Sequence, residues 1–365
     1  MSRVVVLDVF EAMMVGGTGR TLRIGAVLPL SGVLGITGPT VVDAATLAAH
    51  EINGRSDDAR QVELVLLDSG AAPARVAEQV ALLTDAGVVT SFVGLHTSET
   101  LQHVERGLGS RLPYIFAPGH EGTDRTRGVY CVGETPAQAE QGIRWIQTHH
   151  KVERWAILGT DYVWPRTARV QERADIQAAG GQVVYDLIVP TAEVTTRIVS
   201  ILNEVQYSGA QAVIINMPGR DLLAVLRAMQ QTGLDQRLVR YSPGSLEENI
   251  LYALGGDTTG SLYASMHAFD SLQTDEHQEL NKRYHQFQGG GGPVLTSWGT
   301  HTYDALHLLA ALDRSQQLTS AALGTVDGGP RMAAMTGGPR PKQYVSYLAV
   351  SRGLAFEIVA RTPSI

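Results

Sequence analysis

Leu22-Arg23-Ile24-Gly25-Ala26-Val27-Leu28 is a short, almost continuous apolar run that stops at Pro29 and Gly32, and a stretch of helical period opens at Thr40-Val41-Val42-Asp43. The run is too short for a helix core and lacks the alternation of a half-wet strand, so it reads as a strand buried on both faces. Thr40 is placed to cap the free amides of the following helix, and Asp43 to complete a capping box and favour the helix dipole. That helix is expected to run to about Asn53. A second apolar run at 62–67 then completes a strand–helix–strand unit.

The pattern repeats outward from there. Helices are expected at 74–86 and 98–108, and strands at 88–93, 114–117 and 129–132. After about residue 134 the alternation restarts. Helices are expected at 138–149, 165–179, 195–205 and 221–231, and strands at 155–158, 183–189, 212–215 and 238–240. Strands separated by helices of 10 to 15 residues imply parallel sheets, and two such series imply an α/β protein of two doubly wound parallel-sheet lobes. Beyond 265 the alternation weakens to two helices, 277–288 and 297–312, with the turn Gly289-Gly290-Gly291-Gly292 between them. A β-hairpin over 344–360 turns at Ser351-Arg352-Gly353.

Composition narrows the function. The 365 residues are 44% hydrophobic and 18% charged with a net charge of −7, enough apolar content for full cores and no basic footprint for nucleic acid or anionic lipid. The single cysteine, Cys131, excludes an internal disulfide framework and reads as a small buried strand residue. The eleven histidines are dispersed, so no metal site is expected. No apolar run reaches the 18 residues that would suggest a membrane span. The N-terminal segment, interrupted by Asp8 and Glu11, lacks the clean apolar stretch of an export signal. Residues 1–19 are therefore expected to be an N-terminal extension of a cytoplasmic protein, the alternative being a periplasmic or cell-surface protein whose export signal has been removed.

Catalytic patterns are missing. There is no phosphate-loop motif, nucleophile elbow or zinc-protease motif. Gly32, Gly35 and Gly38 follow a G-x-x-G-x-x-G spacing, not the dinucleotide fingerprint, and Asp68 lies too far on to be its ribose contact. Asp68 reads as a solvated strand-end carboxylate. The expectation is a non-catalytic protein with no cofactor.

Four segments carry a resemblance. Residues 24–32 are similar to the first strand and loop of type I periplasmic binding proteins of the Leu/Ile/Val-binding-like superfamily. Phe92-Val93-Gly94-Leu95-His96-Thr97-Ser98 looks like the loop that turns a serine toward the ligand, and residues 114–122 look like the next strand-end loop. Asp161-Tyr162-Val163-Trp164-Pro165-Arg166 resembles the D-Y-[IV]-[YFW]-P-R signature of the short-chain amide and urea branch, which includes transporter receptors and the sensor of amidase operons.

The resemblance spans about 22–362. It implies a Venus-flytrap fold with three crossovers, lobes formed by 20–134 with 268–338 and by 135–267 with 339–365, and a ligand held between them. By it, the ligand contacts are His96, Ser98, Phe116, Pro118, Gly119, His120, Tyr162, Trp164, Gly244 and Ser245. Tyr162 and Trp164 would form one flat wall and Phe116 the facing one. Ser98 can donate and accept toward the ligand; it also reads as a simple helix N-cap, and the two roles are compatible. His96 and His120 would replace donors lost where the amide sensor has tyrosine at the positions of His96 and Phe116 and threonine at that of Pro118. Ser245, at the start of a helix, reads either as a cap or as a ligand contact. The implied function is a cytoplasmic sensor that closes around a short-chain amide or urea-like solute and acts on a regulatory partner protein. The alternative is the receptor of an ABC transporter for amides, urea or branched-chain amino acids, acting with its permease. No direct nucleic-acid contact or membrane insertion is expected, and a homodimer is compatible with either role.

Overall fold

Each strand–helix alternation expected from residue 22 onward is present. The structure, a computed structural model, describes residues 4–55, 60–122, 128–289, 291–323 and 345–363. In chain order the elements are β1 (Val5–Leu7), α1 (Val9–Val15), β2 (Thr21–Leu28), α2 (Gly38–Asn53), β3 (Gln61–Asp68), α3 (Pro73–Asp85), β4 (Ser91–Gly94), α4 (Ser98–Leu108), β5 (Tyr114–Phe116), β6 (Val129–Cys131) and α5 (Ala139–His150). There follow β7 (Arg154–Thr160), α6 (Val163–Ala178), β8 (Gln182–Val189), α7 (Val194–Tyr207), β9 (Ala212–Asn216), α8 (Gly219–Thr232), β10 (Val239–Pro243), α9 (Glu248–Leu254) and β11 (Leu262–Met266). The series ends with α10 (Asp275–Gln288), α11 (Ser297–Arg314), α12 (Ser320–Leu323), β12 (Val345–Arg352) and β13 (Ala355–Pro363).

The chain divides into two compact units. The first comprises Met1–Pro118, Thr123–Gly133 and Glu279–Gln343, the second Gly119–Gly122, Glu134–Gln278 and Tyr344–Ile365. In the first unit the described strands form one sheet in the order β1-β3-β2-β4-β5-β6, parallel throughout. Strand β2 is buried along nearly its whole length, as its continuous apolar run requires of a central parallel strand. In the second unit the order is β13-β12-β11-β10-β9-β7-β8, parallel from β11 to β8 and antiparallel at the β12–β13 hairpin edge. Each sheet has its own apolar core: Val27, Val65, Phe92, Leu101 and Tyr114 belong to one, Ile143, Trp155, Ile157, Ile214 and Tyr241 to the other.

Residues read as an extension ahead of the first lobe are part of its sheet. Strand β1 pairs with β3, and α1 is closed by a reciprocal capping box of Asp8 and Glu11. Ala12 joins the core, and Arg23 donates to the Gly16 carbonyl at 2.6 Å.

Three caps sit elsewhere than expected. Helix α2 begins at Gly38 with Pro39 in its first turn, a position where proline's missing N–H is harmless, so Thr40 lies inside the helix and donates to the Val294 carbonyl. Helix α4 is capped by Thr97, whose hydroxyl accepts from the Thr100 amide, so Ser98 is its first residue. Strand β10 continues to Pro243 and α9 starts at Glu248, so Ser245 lies in the connection and caps nothing.

Candidate functional site

In an open α/β sheet the ligand crevice lies outside the carboxyl ends of the strands, where the chain reverses its direction of winding. In the first unit that point falls between β2 and β4: from β2 the chain goes to β3 on one side, then to β4 on the other. The loop after β2 is fixed by Asp68. Its carboxylate accepts from the amides of Leu30, Ser31 and Gly70 and from the Ser31 hydroxyl. The residue read as a solvated strand end is thus the organiser of this loop.

The loop after β4 carries His96 and Ser98. His96 Nδ1 stands 3.0 Å from the Thr97 carbonyl, which makes Nδ1 the protonated nitrogen. Nε2 then accepts from the Tyr114 hydroxyl at 2.5 Å. Burial pushes the imidazole down to about 4, so it is neutral at ordinary pH. The donor role expected of His96 is therefore not available, because both its nitrogens are engaged within the unit. This pair also explains Gly94: a Cβ there would stand 1.9 Å from the Tyr114 hydroxyl and 2.7 Å from His96 Nε2. Phe116 is fully buried in the apolar core, with its ring centroid 5.1 Å from that of His96. Pro118 is buried just beyond it. Ser98 differs from all of these. It is 2% exposed, and its hydroxyl has no hydrogen-bond partner among the described residues.

In the second unit the winding reverses between β7 and β9. The two strands are in register to their ends, Gly159 opposite Asn216, which sets the loop 160–164 beside the loop 217–221. Four buried polar atoms here have no partner among the described residues: Thr160 Oγ1, Trp164 Nε1, Asn216 Oδ1 and Asp221 Oδ2. Trp164 lies in the first turn of α6 and is 5% exposed. Asp221 is 1% exposed, and burial pushes its carboxyl up to about 6 against the opposing charge of Arg220. Loss of water, with Asp221's charge second, raises the Tyr162 phenol. Asp161 and Arg166, which flank the aromatic pair, form an exposed ion pair at 2.6 Å.

Gly119 and Gly244 border the Trp164 ring. A Cβ added at Gly119 would lie 3.7 Å from Trp164 Nε1, and one at Gly244 3.4 Å from Trp164 Cζ2. Gly244 has φ +70°, the left-handed region that glycine occupies without strain. His120 donates its amide to the Glu134 carbonyl at 2.8 Å, and its Nδ1 accepts from the Gly122 amide at 3.2 Å. Ser245 is buried in the connection after Gly244. Within the second unit the structure thus groups Gly119, Trp164 and Gly244 tightly, with His120 tied to Glu134 and Tyr162 near Asp221. In the first unit it keeps His96 and Phe116 together, with Ser98 at the loop.

Sequence reasoning passed over Thr160, Asp221 and Glu134. Asp221 carries only the signal of an acid in a first helical turn, which the helix dipole explains without further purpose. Glu134 is 2% exposed and accepts the His267 amide at 3.0 Å, a contact 133 residues away in sequence.

No curated protein matches the chain in sequence. Among solved structures it is similar to an ABC transporter solute-binding protein from R. palustris in complex with benzoate, at 18% identity and a TM-score of 0.79, covering 94% of this chain and 97% of that one. A solute-binding protein of an ABC transporter from Rhodopseudomonas palustris BisB5, in complex with 3,4-dihydroxybenzoic acid, gives 16% and 0.78 over 95% and 98%. A leucine-binding protein from Thermotoga maritima MSB8 gives 15% and 0.78 over 93% and 98%. At these identities the likeness establishes the type I two-lobe fold. The family model described as "Periplasmic binding protein" matches residues 21–339, well over half of the chain, and on that match the protein belongs to the periplasmic binding protein family.

Proposed function

We propose that the protein is the extracytoplasmic solute receptor of an ABC transporter, taking up a small polar organic molecule on its strand-end loops and passing it to a membrane permease. The observation that carries this reading is the set of buried polar atoms that have no partner among the described residues at the winding reversals: Ser98 Oγ in the first unit, and Thr160 Oγ1, Trp164 Nε1, Asn216 Oδ1 and Asp221 Oδ2 in the second. Leaving such a group unpaired costs about 1–3 kcal/mol, a cost a bound solute would relieve. Family membership supports a binding role rather than a catalytic one. Among the described residues no helix is long and apolar enough to cross a membrane, in keeping with a separate permease.

The site residues we assign are Ser98 in the first unit and Gly119, His120, Tyr162, Trp164, Gly244 and Ser245 in the second, with His96, Phe116 and Pro118 as buried residues at the strand ends of the first unit. The flat Trp164 indole suits a planar solute, and benzoate in the R. palustris protein is one. A second reading, a cytoplasmic sensor of short-chain amides or urea acting on a regulatory protein, is supported by the sequence of residues 161–166.

Thermal melts with acetamide, propionamide, urea, leucine and benzoate test the proposal. A solute at 100 times its dissociation constant stabilises by about 2.7 kcal/mol, several degrees for a chain of this size. A shift with any of them supports a receptor. A shift confined to amides or urea favours the amide branch. Unchanged melting with all five, and with a wider solute library, would exclude solute binding.

A further inference from the structure

Buried carboxylates are common in the second unit, and most accept at least one internal hydrogen bond, although Glu172 Oε1, Asp175 Oδ2, Asp235 Oδ1 and Glu248 Oε2 have no partner among the described residues. Glu172 accepts from Asn216 Nδ2 at 2.6 Å. Glu248 accepts the Asp270 amide at 2.8 Å. Asp257 is held by Arg240 at 2.7 Å, with Thr259 and Ser351 adding hydroxyl donors. Asp221 is the exception. It is 1% exposed, yet its carboxylate accepts no hydrogen bond from any described residue, and Oδ2 is sealed from solvent. A carboxylate removed from water without donors is among the costliest arrangements in a folded chain. The dipole of α8 offsets part of that cost, but α8 has no side-chain cap and its first-turn amides do not reach the carboxylate.

Its position gives the exposed cost a use. Asp221 stands at the winding reversal of its sheet, on the loop next to the one bearing Thr160 and Tyr162, because β9 runs in register with β7 up to Asn216 opposite Gly159. Thr160 Oγ1 is also buried without a partner among the described residues. The cations nearby do not complete the site. Arg220 is exposed, and Arg166 is occupied by Asp161.

We infer that Asp221, with the hydroxyls of Thr160 and Tyr162, is an acceptor subsite for a protonated ligand nitrogen, so that the solute is an organic cation such as an amidinium or a primary ammonium. This rests on the solute-binding reading and names its ligand class. An amidinium offers parallel N–H donors to a carboxylate and a flat face to the Trp164 indole. A simple carboxylate such as benzoate would meet the unscreened charge of Asp221 and be disfavoured there.

Calorimetric titration of the full chain with three molecules of nearly one shape, acetamidinium chloride, acetamide and sodium acetate, tests the charge directly. Acetamidinium is expected to bind at least about tenfold more tightly than acetamide, and acetate not at all. Asp221→Asn, which keeps shape and removes charge, is expected to bring acetamidinium and acetamide within about threefold of each other. The wild-type series needs no variant, so the inference stays open to refutation even if Asp221→Asn does not fold. Tighter binding of acetamide or acetate by the wild type overturns the cation subsite while leaving solute binding intact, as does a preference that Asp221→Asn retains. If none of the three binds but benzoate does, the cation subsite alone is again overturned. If nothing binds, solute binding itself falls.

Discussion

The two winding reversals are built from the same strand-end loops and treat their polar groups in opposite ways. In the first unit the groups satisfy one another: Asp68 gathers three amides and a hydroxyl, and His96 and Tyr114 close on each other, leaving Ser98 Oγ alone. In the second unit Thr160 Oγ1, Trp164 Nε1, Asn216 Oδ1 and Asp221 Oδ2 have no partner among the described residues. The first arrangement spends its hydrogen bonds on a fixed loop shape and presents few of them. The second leaves donors and acceptors unsatisfied, which on the proposed function are the ones offered to a solute. Specificity should therefore reside mainly in the second unit, and rigidity in the first.

The sharpest way to break this contrast is Gly94→Ala. Its Cβ would collide with Tyr114 and His96, so folding stability should fall by about 3 kcal/mol, read by chemical denaturation. A variant as stable as the wild type would mean that the first loop is not held by the His96–Tyr114 pair. Next in size is Trp164→Ala, which should weaken solute binding by about 2 kcal/mol in calorimetry, with the first unit unaffected. Equal loss from Phe116→Leu, a core change in the other unit, would erase the proposed asymmetry.

Glu172 sharpens the comparison through pH. Burial raises its carboxyl from 4.5 to about 8 in the folded protein, with Asn216 opposing and Asp175 and Asp186 adding to the rise. An acid whose pKa is higher folded than unfolded gives its full stability below about pH 4.5 and loses it as pH climbs toward about 8. Over that window it should remove up to about 1.4 kcal/mol per pH unit, and Glu172→Gln should flatten the slope. A slope unaltered in the variant would assign the titration elsewhere. The smallest effect is expected from Ser98→Ala: about 1 kcal/mol in solute affinity, with ligand-free stability unchanged because Thr97 is the cap. Loss of stability without loss of affinity would make Ser98 a structural residue only.

What could be read from sequence follows the range of the forces involved. The doubly wound sheets were legible because apolar runs such as 22–28 and helical periods such as 74–86 are local signals that tertiary packing reinforces. Caps were legible only to within a few residues. Thr37, Thr40, Thr97 and Ser98 are all competent cap residues, and backbone dihedrals choose between them. Tyr162 and Trp164 stand out because aromatic residues next to Pro165 are unusual in a strand-end loop. Asp221 and Thr160 do not stand out, since being without a partner depends on every other residue in the fold. The His96–Tyr114 and Glu172–Asn216 pairs, 18 and 44 residues apart, are likewise products of strand order.

The interleaving of segments has a consequence for how the chain is made. The second unit's sheet is finished by β12, which pairs with β11 across a separation of about 80 residues, and by β13, which ends at Pro363. The first unit takes its α11, packed along α2, from residues 297–314. Neither unit has its full set of elements until most of the chain has been synthesised, so emerging β2–β5 and β7–β11 must wait with apolar faces uncovered. Such long-range closure slows folding and lengthens exposure to aggregation, so productive biosynthesis should depend on chaperone holding during translation.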